Sequence, residues 1–437
     1  MKLFFLELKK ILRPVPLLLF AAFTAAFSYV VISSPFSYMT EYHETSDYVA
    51  VYADVAELYG PRLEPEELTP AIATLTARYT KELEAELARN PLYAAAGVTD
   101  YESYKAMDRK VNYALLPLED FYGFHEGEYQ LNDYAPYDIN EDYTLTEAEQ
   151  KLADNGLINN MYAPAETFAL RLRIARQALP DEYNWIDANR ESFVGETRYA
   201  GLALTEAGER RIAEIYDSGE IRDILPAHFM DYVATLLPML ALMLLGSLGI
   251  LLAPAITRDN MAKMTPLQYS SKTGRRALKV QLAAMLTVAV VIAVLEVGIT
   301  LWLFIRAGFG AFLESGVNSF ATPYTYNWFT GTYGQYFLIV AGLMLVVAIA
   351  AALLVFLFSK LSANYISLLL SVVPLTGILL FAAFWLFFNP FAIGFSSRTV
   401  YQIIPIPYVE AYICGLLLLI GIAAAGILLR KQRRAEI

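Results

Sequence analysis

The sequence predicts an all-α membrane protein with six transmembrane helices and a large, mainly helical extracellular domain inserted between the first two. Of its 437 residues, 57% are hydrophobic and only 18% are charged, and the mean hydropathy is +0.41. That combination is typical of proteins that cross a membrane several times. Charge is also divided unevenly, because residues 35–226 hold 37 Asp or Glu and 16 Lys or Arg, whereas the rest of the chain holds 7 and 17. An acidic soluble domain is therefore set into a basic-edged membrane domain.

Residues 1–13 predict a short amphipathic helix on the cytoplasmic membrane surface, because apolar and basic residues alternate there at helical spacing. The alternative is a plain cytosolic extension of the first span. Residues 14–34 follow as the first transmembrane helix, with about 20 apolar residues and no charge. The flank of this run lacks a small-x-small cleavage site, so we expect a retained span and not a signal peptide.

Residues 35–226 form the predicted extracellular domain, which has no apolar run long enough to span a membrane. Its hydrophobic periodicity is mostly helical. Helices are predicted over 42–59, 66–88, 100–115, 146–155, 165–178 and 205–218, and a short hairpin within 192–204. The chain has a single cysteine, Cys414, so we expect the domain to depend on its own hydrophobic core and not on an internal disulfide.

The spacing of potential metal ligands along the sequence does not indicate a metal site. The three histidines are far apart in sequence, which is unlike a zinc pattern. Residues 138–149 imitate the spacing of a calcium loop, but Tyr143 stands where the sharp turn of such a loop needs glycine. Thr146-x-x-Glu149 is also a capping box, which explains the glutamate without a metal. We predict no metal ion on this chain.

Residues 227–437 contain the remaining spans of the membrane domain. Five apolar runs lie there, at 229–253, 278–305, 335–358, 363–388 and 408–429. With six spans, the basic termini, the loop 254–278 and the turn at Lys360 share one side of the membrane. The acidic domain and the loops 306–334 and 389–407 share the other. The positive-inside rule then places both termini in the cytoplasm and the large domain outside.

Glu296 is the only charge deep inside any predicted span. An ionisable group in hydrocarbon is costly and is retained mostly where it faces the bundle interior or a polar path. The functional hypothesis is a residue of a translocation path. The alternative is a structural group that forms hydrogen bonds near Gly298. Replacing Glu296 with glutamine distinguishes the two, because normal transport and normal assembly would remove the functional hypothesis.

Small residues recur in two of the predicted spans. Gly246 and Gly249 lie in the second span, and Gly415 and Gly421 lie in the last. Small residues let helix backbones approach closely in a membrane. We therefore expect close helix packing at these positions, either within the chain or across a dimer.

Residues 119–142 combine acidic and aromatic side chains. This stretch holds eight Asp or Glu, six Phe or Tyr and no Lys or Arg. The functional hypothesis is a landing surface for a cationic amphipathic ligand, through electrostatic steering and ring contacts. The alternative is a solvated acidic loop. The residues of this candidate surface are Glu119, Asp120, Phe121, Tyr122, Glu126, Glu128 and Tyr129.

Catalytic signatures are missing from the sequence. It contains no Gly-x-Ser-x-Gly elbow, no His-Glu-x-x-His pair and no Gly-x-x-x-x-Gly-Lys-Ser/Thr phosphate loop. We therefore predict no catalytic residue and no cofactor on this chain. If the protein uses ATP, another chain must bind and hydrolyse it.

The loop 254–278 carries the most specific motif. Six Lys or Arg lie between Arg258 and Lys279 against one acid, Asp259, and residues 270–275 read Ser-Ser-Lys-Thr-Gly-Arg. With six spans and an amphipathic N-terminus, the chain resembles permease subunits of ABC transporters of the type-2 exporter class, in the bacterial, Firmicutes-like branch with a large extracellular domain. Such permeases often show an acid, a glycine four residues later and then a leucine-rich run before this motif. Here Lys263 stands where that glycine is common.

The resemblance implies that the loop is a coupling helix that docks on an ATPase subunit, and that residues 1–13 are the connecting helix. It implies ATP and Mg²⁺ on a partner ABC ATPase and a second permease chain, as a homodimer or a heterodimer, in the bacterial plasma membrane. No contact with nucleic acid is expected. The residues assigned to docking are Asp259, Met264, Leu267, Ser271, Lys272, Gly274 and Arg275.

The function implied is an ATP-driven exporter that moves a peptide, lipid or antimicrobial substrate out of the cytoplasm or membrane. One alternative is a sensing or immunity module whose extracellular domain captures an antimicrobial peptide. Another is a membrane receptor or scaffold that transports nothing. The resemblance covers the membrane half and hardly reaches residues 35–226, so it does not identify the substrate.

Overall fold

The structure is a computed structural model that describes residues 2–33, 43–115, 142–188, 206–263, 276–319, 329–371 and 408–435, together with 374 and 377. These residues are mostly helical, and the described ranges contain no β-strand beyond isolated bridges. The chain divides into two compact units. One unit is Thr40–Arg190, called here the inserted unit; the other, called here the bundle unit, is Met1–Met39 with Glu191–Ile437.

The inserted unit is built from seven described helices. They are α3 (His43–Tyr59), α4 (Pro65–Arg89), α5 (Pro91–Ala95), α6 (Tyr101–Leu115), α7 (Glu147–Asp154), α8 (Pro164–Arg173), which continues through a π-helical turn at Ile174–Ala178, and α9 (Leu179–Ala188). The predicted helices are thus present to within a few residues. The exception is the helix predicted over 165–178, which continues to Ala188 because Leu179 is fully buried and extends the apolar stripe. The predicted hairpin at 192–204 lies outside the described residues.

Helix α4 supplies the centre of the core of the inserted unit. A reciprocal capping box between Glu64 and Glu67 starts it, with Pro65 at its first position. It packs on α3, on α8 and on the π-turn after α8. Its buried stripe follows helical spacing and consists of Leu68, Ala71, Leu75, Tyr79, Leu83 and Leu87. Each large apolar side chain in such a stripe contributes roughly 1.5–3 kcal/mol through burial.

The Glu149 carboxylate is engaged by groups of its own chain. Its side chain and that of Thr146 form the predicted capping box at the start of α7. Both carboxylate oxygens of Glu149 also lie within 2.9 Å of Lys110 Nζ, on α6. The described part of the chain contains no group of three or more potential metal ligands. Residues 138–141 of the calcium-like stretch lie outside it.

The bundle unit contains the long apolar helices. Its described helices are α1 (Lys2–Ile11), α2 (Pro14–Phe27), which continues through a π-helical turn at Ser28–Ile32, α10 (Glu206–Ser218), α11 (Ala227–Met261), α12 (Ala277–Arg306), α13 (Tyr333–Leu361) and α14 (Val409–Ala435). Short 3₁₀ turns lie at Glu220–Arg222 and Phe309–Phe312.

Four described helices are long and apolar enough to cross a membrane, and a fifth span results if α1 and α2, which are bent by 53° to each other, are counted as one. The four segments are Leu236–Met261, Ala277–Arg306, Tyr333–Leu361 and Ala411–Lys431. The predicted span at 363–388 lies largely outside the described residues, although 365–371 are helical. The total of six spans therefore stays a prediction.

Helix α11 runs further than the sequence indicates. The predicted span ends at 253, but the helix continues through Pro254 to Met261, so the first eight residues of the predicted loop are helical. Polar side chains in this extension have partners on other helices, as described below for Thr257 and Asn260. Pro254 has no N–H, so the carbonyl of Ile250 loses its usual donor within the helix. One residue before the proline, Ser359 Oγ donates to the Ala253 carbonyl at 3.1 Å, which ties this turn of α11 to α13.

Two of the predicted small residues pack helices together within this chain. A Cβ on Gly246 of α11 would overlap the ring of Phe23 on α2. A Cβ on Gly421 of α14 would lie 2.9 Å from Leu353 Cβ on α13. In contrast, a Cβ on Gly249 or Gly415 would meet nothing within 4 Å. Close packing between helices of this chain therefore explains Gly246 and Gly421 but not Gly249 and Gly415.

Candidate functional site

The first candidate site is a polar junction at the end of α11, centred on Asp259. Oδ2 of this carboxylate accepts a hydrogen bond from Lys10 Nζ at 2.9 Å and another from Gln281 Nε2 at 3.0 Å. Lys10 lies on α1, and Gln281 lies on α12. Lys10 also donates to Glu7 Oε1 at 2.9 Å, and Glu7 is buried. One carboxylate oxygen thus connects the amphipathic helix and both helices that flank the predicted coupling loop.

The side chains of the junction are shielded from solvent enough for their charge interaction to contribute to stability. The side chain of Asp259 is 15% exposed and that of Lys10 is 27% exposed. An ion pair at a fully exposed surface contributes at most about 1 kcal/mol. Removing one partner of a half-buried pair leaves the other desolvated and unmatched, which costs about 1–3 kcal/mol. We call Lys10, Asp259 and Gln281 the Asp259 junction.

The next residue, Asn260, fixes the same end of α11 to α13. Its Nδ2 lies within hydrogen-bond distance of the carbonyls of Ser359, Lys360 and Ser362, at 3.1, 3.3 and 3.0 Å. Thr257 Oγ1 donates to the Ser359 carbonyl at 3.2 Å. The last carbonyls of a helix have no partner within that helix, and here α11 provides the donors. The stem of the predicted loop is thus attached to three other helices.

Lys263 ends α11 in a left-handed backbone conformation, with φ of 53°. The turn is closed by hydrogen bonds from Ala262 N to the Arg258 carbonyl and from Lys263 N to the Asn260 carbonyl, both at 3.0 Å. Glycine adopts this conformation freely, whereas a residue with a Cβ is strained by about 1 kcal/mol. Lys263 is the position at which permeases of the resembled class often carry glycine, so the backbone gives a physical reason for that preference.

Asp259 is the one predicted docking residue that the structure describes. It is engaged by partners of its own chain, so it acts on the loop by holding its stem in place. The other six lie in the segment 264–275, outside the described residues. They are Met264, Leu267, Ser271, Lys272, Gly274 and Arg275.

The second candidate site surrounds Glu296 in the interior of the bundle. Ser247 Oγ, on α11, donates to Glu296 Oε1 at 2.5 Å, and Thr24 Oγ1, on α2, lies 3.5 Å from Ser247 Oγ. Glu296 is only 6% exposed, and its Oε2 is buried without a hydrogen-bond partner among the described residues. The carboxylate therefore faces neighbouring helices and has one oxygen available for a further donor.

Sequence analysis missed Ser247 and Thr24. The signal was present, since each is a small polar residue within an apolar run. What the sequence does not show is that they meet. Gly246 lets Phe23 of α2 approach α11 closely, and the next residue on each helix is then brought to the same level. Close packing at a glycine thus positions a polar contact.

A third polar cluster, which sequence analysis also missed, lies at the start of α11. Gly316 N donates to Asp223 Oδ2 at 2.9 Å, and Ser319 Oγ lies within hydrogen-bond distance of the carbonyls of Asp223 and Leu225, at 2.5 and 3.0 Å. Asn318 Nδ2 donates to Glu220 Oε2 at 2.8 Å. We call these residues the Asp223 clamp. It attaches the segment before α11 to the connection between α12 and α13.

The acidic and aromatic stretch cannot be placed. Its candidate residues, from Glu119 to Tyr129, all lie outside the described part of the chain. The hypothesis of a landing surface for a cationic ligand therefore stays a prediction from sequence.

No protein-family model, characterised protein or solved structure matches this chain. The resemblance to ABC permeases thus rests on the residues of the loop 254–278 and on the arrangement of apolar helices.

Proposed function

We propose that this chain is the membrane-spanning permease subunit of an ATP-driven ABC exporter for a peptide, lipid or antimicrobial substrate. It lies in the bacterial plasma membrane with both termini in the cytoplasm and residues 35–226 outside. ATP and Mg²⁺ are bound by partner ATPase subunits, and a second permease chain completes the pathway as a homodimer or a heterodimer. The observation that carries the proposal is the Asp259 junction.

A loop that transmits movement from an ATPase has to be attached rigidly to the helices that move. Asp259 holds the end of α11 to α1 and α12, and Asn260 holds it to α13. A displacement of the segment 264–275 is then passed to four helices together, which is how packed elements with side-chain networks carry coupling. Asp259 is a positioning residue in this scheme, and contact with the ATPase falls to 264–275.

The contacts between segments support the proposed topology, because each polar contact at the ends of the long helices joins segments assigned to the same side of the membrane. The Asp259 junction and Asn260 join segments that the charge rule places in the cytoplasm, including residues near Lys360. The Asp223 clamp joins two segments that the same rule places outside. A contact between segments from opposite sides would have contradicted the assignment.

Glu296 favours transport over a receptor or scaffold. Removing a carboxylate from water costs several kcal/mol, and an apolar side chain would pack a passive bundle with less penalty. Its Oε1 accepts from Ser247, while its Oε2 has no partner among the described residues. We assign Glu296 to the translocation path, where a substrate or water supplies that donor.

The docking test is co-purification with ABC ATPases of the same genome, each co-expressed with the full chain. Substituting Met264, Leu267 and Arg275 together with alanine is expected to reduce association and stimulated ATP hydrolysis at least about tenfold. A matched control replaces Arg430, Lys431 and Arg433 of the tail, which also removes cationic side chains from the cytoplasmic side.

Two outcomes contradict the proposal. Undiminished association of the triple variant would refute docking through 264–275. Failure of the unaltered chain to associate with any of these ATPases would refute the exporter as a whole and favour the non-transporting receptor.

A further inference from the structure

The inserted unit contains an open cleft between α6 and α8. Ionisable and aromatic side chains line most of it. These side chains are Tyr101, Tyr104, Lys105, Asp108, Glu166 and Arg173. We call it the Asp108 cleft. None of these residues belongs to the sites assigned to export.

Asp108 is a buried carboxylate that contributes to the cleft wall. The residue is 5% exposed, and its Oδ1 accepts a hydrogen bond from the backbone N–H of Asn159 at 2.9 Å. Its Oδ2 accepts no hydrogen bond from any described residue. Burial, and then the nearby Glu166, raise the pKa of Asp108 to about 7, while the Asn159 N–H and the charge of Arg173 lower it. A further positive group placed in the cleft would stabilise the ionised carboxylate.

The same side of the cleft holds a second carboxylate and aromatic rings. Tyr104 OH donates to Glu166 Oε2 at 2.9 Å, which fixes the orientation of that carboxylate. Tyr101 already has a cation on one face, because the guanidinium carbon of Arg176 lies 5.0 Å from its ring centroid. Two carboxylates with tyrosine rings beside them form a suitable environment for an organic ammonium group.

Two cationic side chains, Lys105 and Arg173, line the same cleft. With Glu166 and the ionised form of Asp108, they give the lining two charges of each sign. A simple cation would be repelled by the two cationic side chains, and a simple anion would be repelled by the two carboxylates. A metal ion would have two carboxylates only, and the described residues offer no group of three metal ligands. A molecule that carries both signs matches the whole lining.

We infer that the Asp108 cleft binds a small zwitterion with a primary ammonium group. The ammonium group lies against Asp108 and Glu166, and the anionic group lies against Arg173 and Lys105. An amino acid or short peptide provides this chemistry with a carboxylate, and an ethanolamine lipid headgroup provides it with a phosphate. The inference does not depend on export, since every residue involved belongs to the inserted unit.

The test uses the full chain in phosphatidylglycerol nanodiscs, which contain no zwitterionic lipid. Saturation-transfer NMR and calorimetry are carried out with L-alanine, triglycine and glycerophosphoethanolamine as probes. We expect at least one to bind, and the one that binds identifies the source. For alanine, N-acetyl-L-alanine lacks the ammonium group and L-alaninamide lacks the anion. Each is expected to bind at least about tenfold more weakly than alanine, because one ion pair with a desolvated partner is lost.

Asp108→Asn is the variant of choice because its amide oxygen still accepts from Asn159 N–H. It is expected to weaken binding at least about tenfold. Glu147→Gln is the matched control, because Glu147 is an exposed acid on α7 with its side chain 87% exposed. If Asp108→Asn does not fold, Arg173→Gln tests the anionic end of the ligand instead.

Three results would overturn the inference. The first is that none of the three zwitterions binds up to about 10 mM, a concentration that corresponds to a free energy of only about −2.7 kcal/mol. The second is that the acetylated or amidated analogues bind as well as alanine. The third is that the Asp108 and Arg173 variants bind as the unaltered chain does. None of these results bears on association with an ATPase, so a failure here is distinct from a failure of the exporter proposal.

Discussion

The carboxylate of Asp259 accepts a hydrogen bond from the ammonium group of Lys10 at 2.9 Å, across 249 positions of sequence. The contact joins the amphipathic helix α1 to the last turn of α11. Gln281 completes it from α12, on the other side of the predicted coupling loop. The amphipathic N-terminal helix is thereby made part of the support of the predicted loop.

The first prediction follows from that contact. Lys10→Met removes the cation but keeps the aliphatic stem, and it leaves Asp259 without its charged partner. We expect a loss of about 1–3 kcal/mol in the free energy of unfolding. Lys9→Met on the same helix is the control, because Lys9 is exposed and belongs to no part of the junction. Thermal unfolding in detergent measures both variants. Equal midpoints would show that the pair adds nothing to stability.

The second prediction concerns the Asp223 clamp. Gly316→Ala places a Cβ against Asp223 Oδ2, so the hydrogen bond from Gly316 N cannot keep its 2.9 Å geometry. We expect the loss of a buried charge-assisted hydrogen bond, worth about 1.5–3 kcal/mol. Gly342→Ala on α13 is the control, since its Cβ would meet nothing within 4 Å. Faster hydrogen exchange at the start of α11 is the measurement, and exchange that matches the control would contradict the clamp.

The third prediction is a stabilising substitution. Lys263→Gly should raise the free energy of unfolding by up to about 1 kcal/mol, because glycine adopts the left-handed conformation at φ of 53° without strain. Lys263→Ala is the control, since alanine keeps the Cβ and should gain little. Thermal unfolding ranks the three proteins. A lower midpoint for the glycine variant than for the alanine variant would mean that the Lys263 side chain itself is stabilising.

The sequence predicted the helices of the inserted unit well, because their apolar stripes and capping residues are local signals. Helix α7 begins at the capping box of Thr146 and Glu149, and α4 begins within one residue of its predicted start. It predicted the end of α11 poorly. A window of hydropathy ends at the first polar residues, but Thr257 and Asn260 continue the helix because their partners are on α13.

The same limit applies to the candidate sites. The sequence singled out Asp259 and Glu296 because a lone charge in or beside an apolar run is conspicuous. It gave no means of finding Lys10 as the partner of Asp259 or Ser247 as the partner of Glu296, since those contacts depend on tertiary packing. Asp108 was missed for a related reason. It is one acid among many in the inserted unit, and only burial beside Glu166 distinguishes it.

The fourth prediction separates the structural role of Glu296 from its proposed role in transport. Glu296→Gln keeps an acceptor for Ser247 Oγ but removes the charge, so we expect normal assembly with transport reduced at least about tenfold. Ser247→Ala instead removes the donor, and we expect it to lower the free energy of unfolding by about 1–3 kcal/mol. Substrate flux in proteoliposomes and thermal unfolding measure the two effects. Normal flux in the glutamine variant would leave Glu296 a structural group only.

The fifth prediction is a pH dependence of the inserted unit that originates at Asp108. Burial, and the charge of Glu166, raise the pKa of this carboxyl from 3.8 to about 7 in the folded chain, while the backbone N–H of Asn159 and the charge of Arg173 lower it. Between these two values the folded state holds the proton more tightly than the unfolded state. The free energy of unfolding therefore falls as pH rises from about 4 to about 7, by up to about 1.4 kcal/mol per pH unit, and this contribution levels off above pH 7.

Asp108→Asn removes this contribution while other carboxyl groups keep theirs, so the difference between the two proteins isolates it. Hydrogen–deuterium exchange of α6 amides in the full chain, corrected for intrinsic rates at pH 5, 6, 7 and 8, measures the free energy of opening. We expect the stability of the asparagine variant relative to the unaltered chain to rise with pH up to about 7 and then to stay constant. A constant difference from pH 5 to 8 would mean that Asp108 titrates as it does in the unfolded chain. In that case the carboxyl group is hydrated enough to remain charged from pH 5 to 8, and burial does not raise its pKa.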